Sequence, residues 1–190
     1  MPSPRTLCLL LATACTVATD STAQCPAITL DANIASAFNG SGPMLGATII
    51  PLRIGSPGGL QLGVGAGGWA GRLSNDAYDE GYRRLYGAGP RAEVRLPFGG
   101  GRVAVAARVG VDWIKSDVRN AFFLIGPPAP GEIWDRSNGT GTGYGAELAV
   151  SFRISPRWSW HVVGGRAHQS LYDAGSNTMS RVGVGVAVES

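Results

Sequence analysis

A histidine and a serine two residues apart on an extended chain point the same way, and a nearby carboxylate can hold the histidine as a base. The segment "RAHQSLYDAG" offers that set in His168, Ser170 and Asp173, the minimal arrangement for nucleophilic acyl transfer. The competing description is a polar stretch where a strand runs into a loop. Other chemistry is thinner. Asp76, Asp79 and Glu80 are oxygen donors of the type calcium takes, yet loop acids are usually solvated. "GVGAGGWAG" has the glycine density of a phosphate-cradling loop but lies in a strand pattern with no helix behind it. "NGT" at 138–140 fits a glycosylation acceptor and carries little weight. No metal site and no cofactor are expected.

Regularly spaced charge is the stronger signal. Arg91, Glu93 and Arg95 alternate with Pro90, Ala92, Val94 and Leu96, while Arg108 and Asp112 oppose Val105, Ala107, Val109, Val111 and Trp113. Glu147, Arg153 and His161 take the face opposite Leu148, Val150, Phe152, Trp158 and Trp160, and Arg181 and Glu189 alternate with Val182, Val184, Val186 and Val188. A period of two means strands. Eight are expected, over about 27–38, 44–54, 59–71, 84–97, 102–115, 142–154, 157–168 and 179–189.

Composition agrees with an all-β domain. With 44% hydrophobic and 15% charged residues, the chain is not a disordered polyelectrolyte. Its 29 glycines and 12 prolines follow no fixed period, which describes many turns and small-residue strands. A formal charge of +3 with scattered arginines lacks the basic footprint of a nucleic-acid binder.

The start reads as an export signal. "MPSPRTLCLLLATACTVATDSTAQ" has Arg5, an apolar run from Leu7 to Ala18, and Ser21 and Ala23 ahead of a cut before Gln24. That divides the chain into a signal peptide, 1–23, and a single domain, 24–190. A lipoprotein cut before Cys15 is the rival. After cleavage at Gln24 only Cys25 remains, so no intramolecular disulfide forms. The apolar run falls short of the ~20 residues of a membrane-spanning helix, and no other candidate follows.

Alternation alone does not say which face is wet. Three features place lipid outside. The strands are long enough for a tilted crossing of about 9–11 residues. Aromatics sit at two levels on the apolar face, Tyr86, Trp113 and Tyr144 at one and Phe98, Phe152, Trp158 and Trp160 at the other. Connections on one side, "IGSPGG", "PFGGG" and "SPR", are short, while those on the other include "SNDAYDEGYRR", the stretch 116–141 and "QSLYDAGSNT". The apolar part of that long stretch, "RNAFFLIGPPAPGEIW", is expected to fold back over the barrel mouth.

The expected architecture is therefore an eight-stranded antiparallel up-and-down transmembrane β-barrel. Its lumen would hold Arg91, Glu93, Arg95, Arg108, Asp112, Glu147, Arg153, His161 and Arg181 as a packed network of near-balanced charge, too full for bulk porin activity. The different-class alternative is a soluble exported barrel of lipocalin type, with the valines lining a ligand cavity and the arginines outside.

With the signal peptide, the strand-turn-strand "SFRISPRWSWHVVGGR" and the closing "RVGVGVAV", the chain resembles the small eight-stranded outer-membrane β-barrels of Gram-negative bacteria, OmpA-like and OmpX-like. The resemblance implies an outer-membrane location, assembly by the barrel assembly machinery, and contact with outer-membrane lipid and lipopolysaccharide. It implies nothing firm about activity, because such barrels serve as adhesins, membrane stabilisers, immune-evasion proteins or enzymes. For this chain a monomer with a structural or loop-borne surface role, and no enzyme, is expected. The chain departs from that family in ending Val188-Glu189-Ser190 where an aromatic is usual. His168-x-Ser170 also looks like the signature of lipid A deacylase barrels, but Leu171 stands where an asparagine normally follows, and the final strand has no glutamate before Glu189.

Overall fold

The computed structural model describes residues 23–24, 27–56, 58–74, 81–120, 135–172 and 174–189. Residues 1–22 of the proposed signal peptide, Cys25, the acids Asp76, Asp79 and Glu80, the stretch 121–134 and Asp173 lie outside them. Eight long strands make the fold: β1 (Ala27–Ala37), β2 (Gly40–Gly55), β3 (Gln61–Ser74), β4 (Tyr82–Phe98), β5 (Val103–Asn120), β6 (Asp135–Arg153), β7 (Trp158–Leu171) and β8 (Gly175–Glu189). Each pairs antiparallel with its neighbours in sequence, and β8 returns to β1, which closes the sheet into a barrel with no free edge. Ala23–Gln24 add a short antiparallel pairing to the end of β2.

Turn chemistry sets the joins. Phe38 and Asn39 both have positive φ, at 53° and 59°, the two-residue geometry that matches strand twist in a tight hairpin. The turn thus falls one residue before the Asn39-Gly40 pair that signals it in the sequence. At the opposite end, Gly99, Gly100 and Gly101 all take positive φ, which explains a run of three glycines between β4 and β5. The β6–β7 turn is closed by Ser155, whose Oγ accepts from the Trp158 amide at 3.2 Å, while the Ile154 amide donates to the Trp158 carbonyl at 2.9 Å.

Strands run further toward the long loops than hydrophobic alternation indicates. β5 and β6 stay paired to Asn120 and Asp135, so much of the expected loop 116–141 is a two-stranded extension. There the outward positions of β5, Lys115, Asp117 and Arg119, are charged rather than apolar, so the alternation that marks the rest of the strand fades.

One irregularity matters for the interior. Ile49 pairs with Ala66 and Leu52 with Val64, so β2 carries an extra residue at Pro51, which has no N–H to give a ladder. Below the bulge the inward parity changes from even to odd. Ile50 and then Arg53 become buried.

Candidate functional site

The barrel has two faces of opposite character. Outside, Leu30, Ile34, Leu45, Val109, Leu148, Val182 and Val184 are each more than half exposed and form a continuous apolar belt. Water would tolerate apolar patches of only a few hundred Å² on a monomer; a belt around a closed barrel is covered by lipid. Trp113 and Tyr144 are 67% and 64% exposed, and with Tyr86 they mark the loop-side rim of the belt. Phe98, Trp158 and Trp160 mark the turn-side rim, where Trp160 stacks on Phe152 with ring centroids 4.5 Å apart.

Inside, the charges meet in pairs. Glu93 takes Arg108 Nε on Oε2 at 2.8 Å and Arg53 Nη2 on Oε1 at 2.8 Å. Glu189 Oε1 receives Arg95 Nη1 at 2.7 Å and Arg53 Nη1 at 3.2 Å. Arg53 therefore joins two carboxylates into one cluster at the turn end. Arg153 is at its edge, 3.6 Å from Glu189 Oε2 and partly in solvent, so it belongs to the mouth rather than the interior. Higher up, Arg91 pairs with Asp112 Oδ1 at 2.6 Å, and Trp69 Nε1 donates to Asp112 Oδ2 at 3.0 Å. Arg181 pairs with Glu147, and His161 Nε2 contacts Asp31 Oδ1.

Glycine makes room for these side chains. A Cβ on Gly110 would stand 2.5 Å from Arg91 Nη1, and one on Gly185 would stand 2.6 Å from both His161 Nε2 and Asp31 Oδ1. Neither pair would keep its place.

The loop-side third of the interior is different. Ala35, Met44, Trp69, Leu73, Leu85, Ile114, Leu171 and Met179 pack there as a buried apolar cluster. At this level the barrel inverts: Arg72, Arg84 and Lys115 lie outside, next in sequence to the buried Leu73, Leu85 and Ile114. Past the belt the exterior is polar and the interior largely apolar, with Ser116 and Gln169 buried beside Ile114 and Leu171. The lumen thus carries a charged section on the turn side and an apolar plug on the loop side.

Sequence reasoning missed Arg53, Asp31 and the plug. Arg53 was hidden by the bulge at Pro51. Asp31 was legible, because it alternates with Ile28, Leu30 and Ile34 as Arg91 does with Ala92.

His168 and Ser170 share a face, but it is the outer one. Ladder pairing sets His168 between Tyr144 and Thr178, with ring centroids of His168 and Tyr144 5.3 Å apart. No described carboxylate pairs with His168 in the ladder. Among the described residues no group of three histidines, cysteines or acids is placed to hold a metal ion.

Neither a protein-family model nor a curated protein matches the chain by sequence. Solved structures match it by shape. Neisserial surface protein A (NspA) of Neisseria superposes with a TM-score of 0.58 at 17% identity, over 90% of this chain and 100% of that one. Ail, the attachment invasion locus protein of Yersinia pestis, solved with the heparin analogue sucrose octasulfate, gives 0.50 at 11% identity over the same shares. The fold is that of the small eight-stranded outer-membrane β-barrels. Arg53, Arg91, Arg95 and Arg108 point inward and the valines outward, the reverse of a lipocalin, while Arg166 stands exposed on the outer face beside Ala146.

Proposed function

We propose that this chain resides in the outer membrane as a sealed barrel, whose role is structural or is carried by the segments that join its strands on the loop side. The observation that carries this reading is the double closure of the lumen. Ion pairs fill the turn-side section, with Arg53, Glu93 and Arg108 each 7% exposed or less, and Leu73, Leu85 and Met179 fill the loop side, each 2% exposed or less. A continuous water path is incompatible with both layers, which speaks against a transport function. The lumen charges act as a framework: they hold the wall rigid and leave recognition to segments such as 75–80 and 121–134. The N-terminal export signal read from the sequence and the outward apolar belt support the location, with assembly by the barrel assembly machinery.

Single-channel recording in planar bilayers tests the sealed lumen. Purified protein is expected to give no steady conductance at moderate voltage, and a variant that shortens the plug, L73A/L85A/I114A, is expected to flicker open. Steady open channels from the unaltered protein would refute the reading.

A further inference from the structure

Arg72 and Arg84 stand directly opposite each other on β3 and β4. Both side chains are on the outer face of the barrel. Two like charges at facing positions repel, with Cβ atoms about 5 Å apart. A third guanidinium joins them, because Tyr82 is flanked by Arg72 at 4.1 Å, Arg84 at 5.2 Å and Arg119 at 5.8 Å from its ring centre. Lys115 pairs with Tyr86 alongside. Among the described residues, the carboxylate facing this group in the ladder is Asp117, opposite Arg84, and it is buried and already has an interaction of its own.

Below the two arginines the wall is hollowed. A groove of about 280 Å³ is floored by Pro43, Leu45, Ala70 and Tyr86 and bounded above by Arg72 and Arg84. Ala70 pairs with Tyr86 at the aromatic rim, and Arg72 lies two residues beyond it toward the loops. That is about 7 Å along the strand, or about 5 Å of height at the usual tilt, which reaches from the hydrocarbon edge into the headgroup layer.

Resting on the outer-membrane placement proposed above, we infer that this face is a binding site for a phosphorylated lipid of the outer leaflet, the class to which lipid A belongs. Its phosphate bridges Arg72 and Arg84 and removes their repulsion, with Arg119 and Lys115 adding charge, and one acyl chain lies in the groove over Leu45 and Ala70. Arginine forks suit a phosphate's oxygens. The apolar floor favours a lipid over a soluble polyanion, because only a lipid satisfies groove and arginines together.

Native mass spectrometry of the full-length barrel in mild detergent tests the site. The probes are bisphosphorylated lipid A, its dephosphorylated form and inositol hexakisphosphate, and each variant's gel shift between boiled and unboiled samples is read in parallel. The unaltered protein should retain one lipid A. Retention should fall about tenfold or more in R72Q/R84Q or with dephosphorylated lipid, and should persist in R102Q/R157Q at the turn side. Equal retention by R72Q/R84Q, with the gel shift intact, overturns the inference and leaves the barrel placement standing. Inositol hexakisphosphate competing as well as lipid A overturns it in favour of a soluble polyanion. A D76N/D79N/E80Q variant that loses thermal stability, together with an unaltered protein that binds no lipid A, overturns it by assigning the arginines to the acids of that segment. Loss of the gel shift in the unaltered protein overturns the placement itself.

Discussion

Arg108 donates through Nε to Glu93 Oε2 at 2.8 Å, with both side chains shut away from solvent inside the barrel. Arg53 takes the other oxygen of the same carboxylate. Glu93 therefore holds two buried cations, and it shares Arg53 with Glu189.

Replacing Glu93 by glutamine keeps the volume and removes the charge, which strips Arg108 of its anion and leaves Arg53 with Glu189 alone. Losing one partner of a buried pair costs about 3–5 kcal/mol. The E93Q barrel should unfold at lower urea than the parent in vesicles, and E93Q/R108M should recover part of the loss. An unchanged midpoint would show that the cluster does not hold the wall.

The lipid-facing belt predicts a depth-dependent penalty for charge. Val184 is 57% exposed and pairs with Ala32 and Val162, in the middle of the belt. Lysine or arginine at the bilayer midplane costs about 2–4 kcal/mol, against about 0–1 near the interface. V184R should lower vesicle folding stability by the larger amount and S176R by the smaller. Equal and negligible effects would mean that the valines face water.

A sealed barrel with a structural or loop-borne role leaves no chemistry to His168 and Ser170, which stand on its outer face. Cells that express the chain should show the same lipid A acylation in mass spectra as cells that do not, and H168A and S170A should change neither that pattern nor the barrel's gel shift. A lost acyl chain that returns in S170A would make the protein a deacylase.

Much of the barrel was legible in its residues because a lipid-spanning strand imposes a strict period of two. Arg91, Glu93 and Arg95 against Ala92, Val94 and Leu96 read directly as inside and outside. What escaped the sequence lay where that rule is broken. Pro51 shifts the phase of β2 and sends Arg53 inward. Above the aromatic rim the rule inverts, so Leu73, Leu85 and Ile114 point inward beside outward Arg72, Arg84 and Lys115. Read with the belt's phase, those segments look like strand ends. Their apolar plug is visible only once the barrel is closed.

The most direct measurement is electrophoretic mobility in SDS of the membrane-extracted protein, unboiled against boiled, together with its division between outer-membrane and soluble fractions. A closed barrel with a sealed, ion-paired lumen and an apolar belt should fractionate with the outer membrane and migrate faster unboiled. A soluble protein whose mobility is the same before and after boiling would contradict the account.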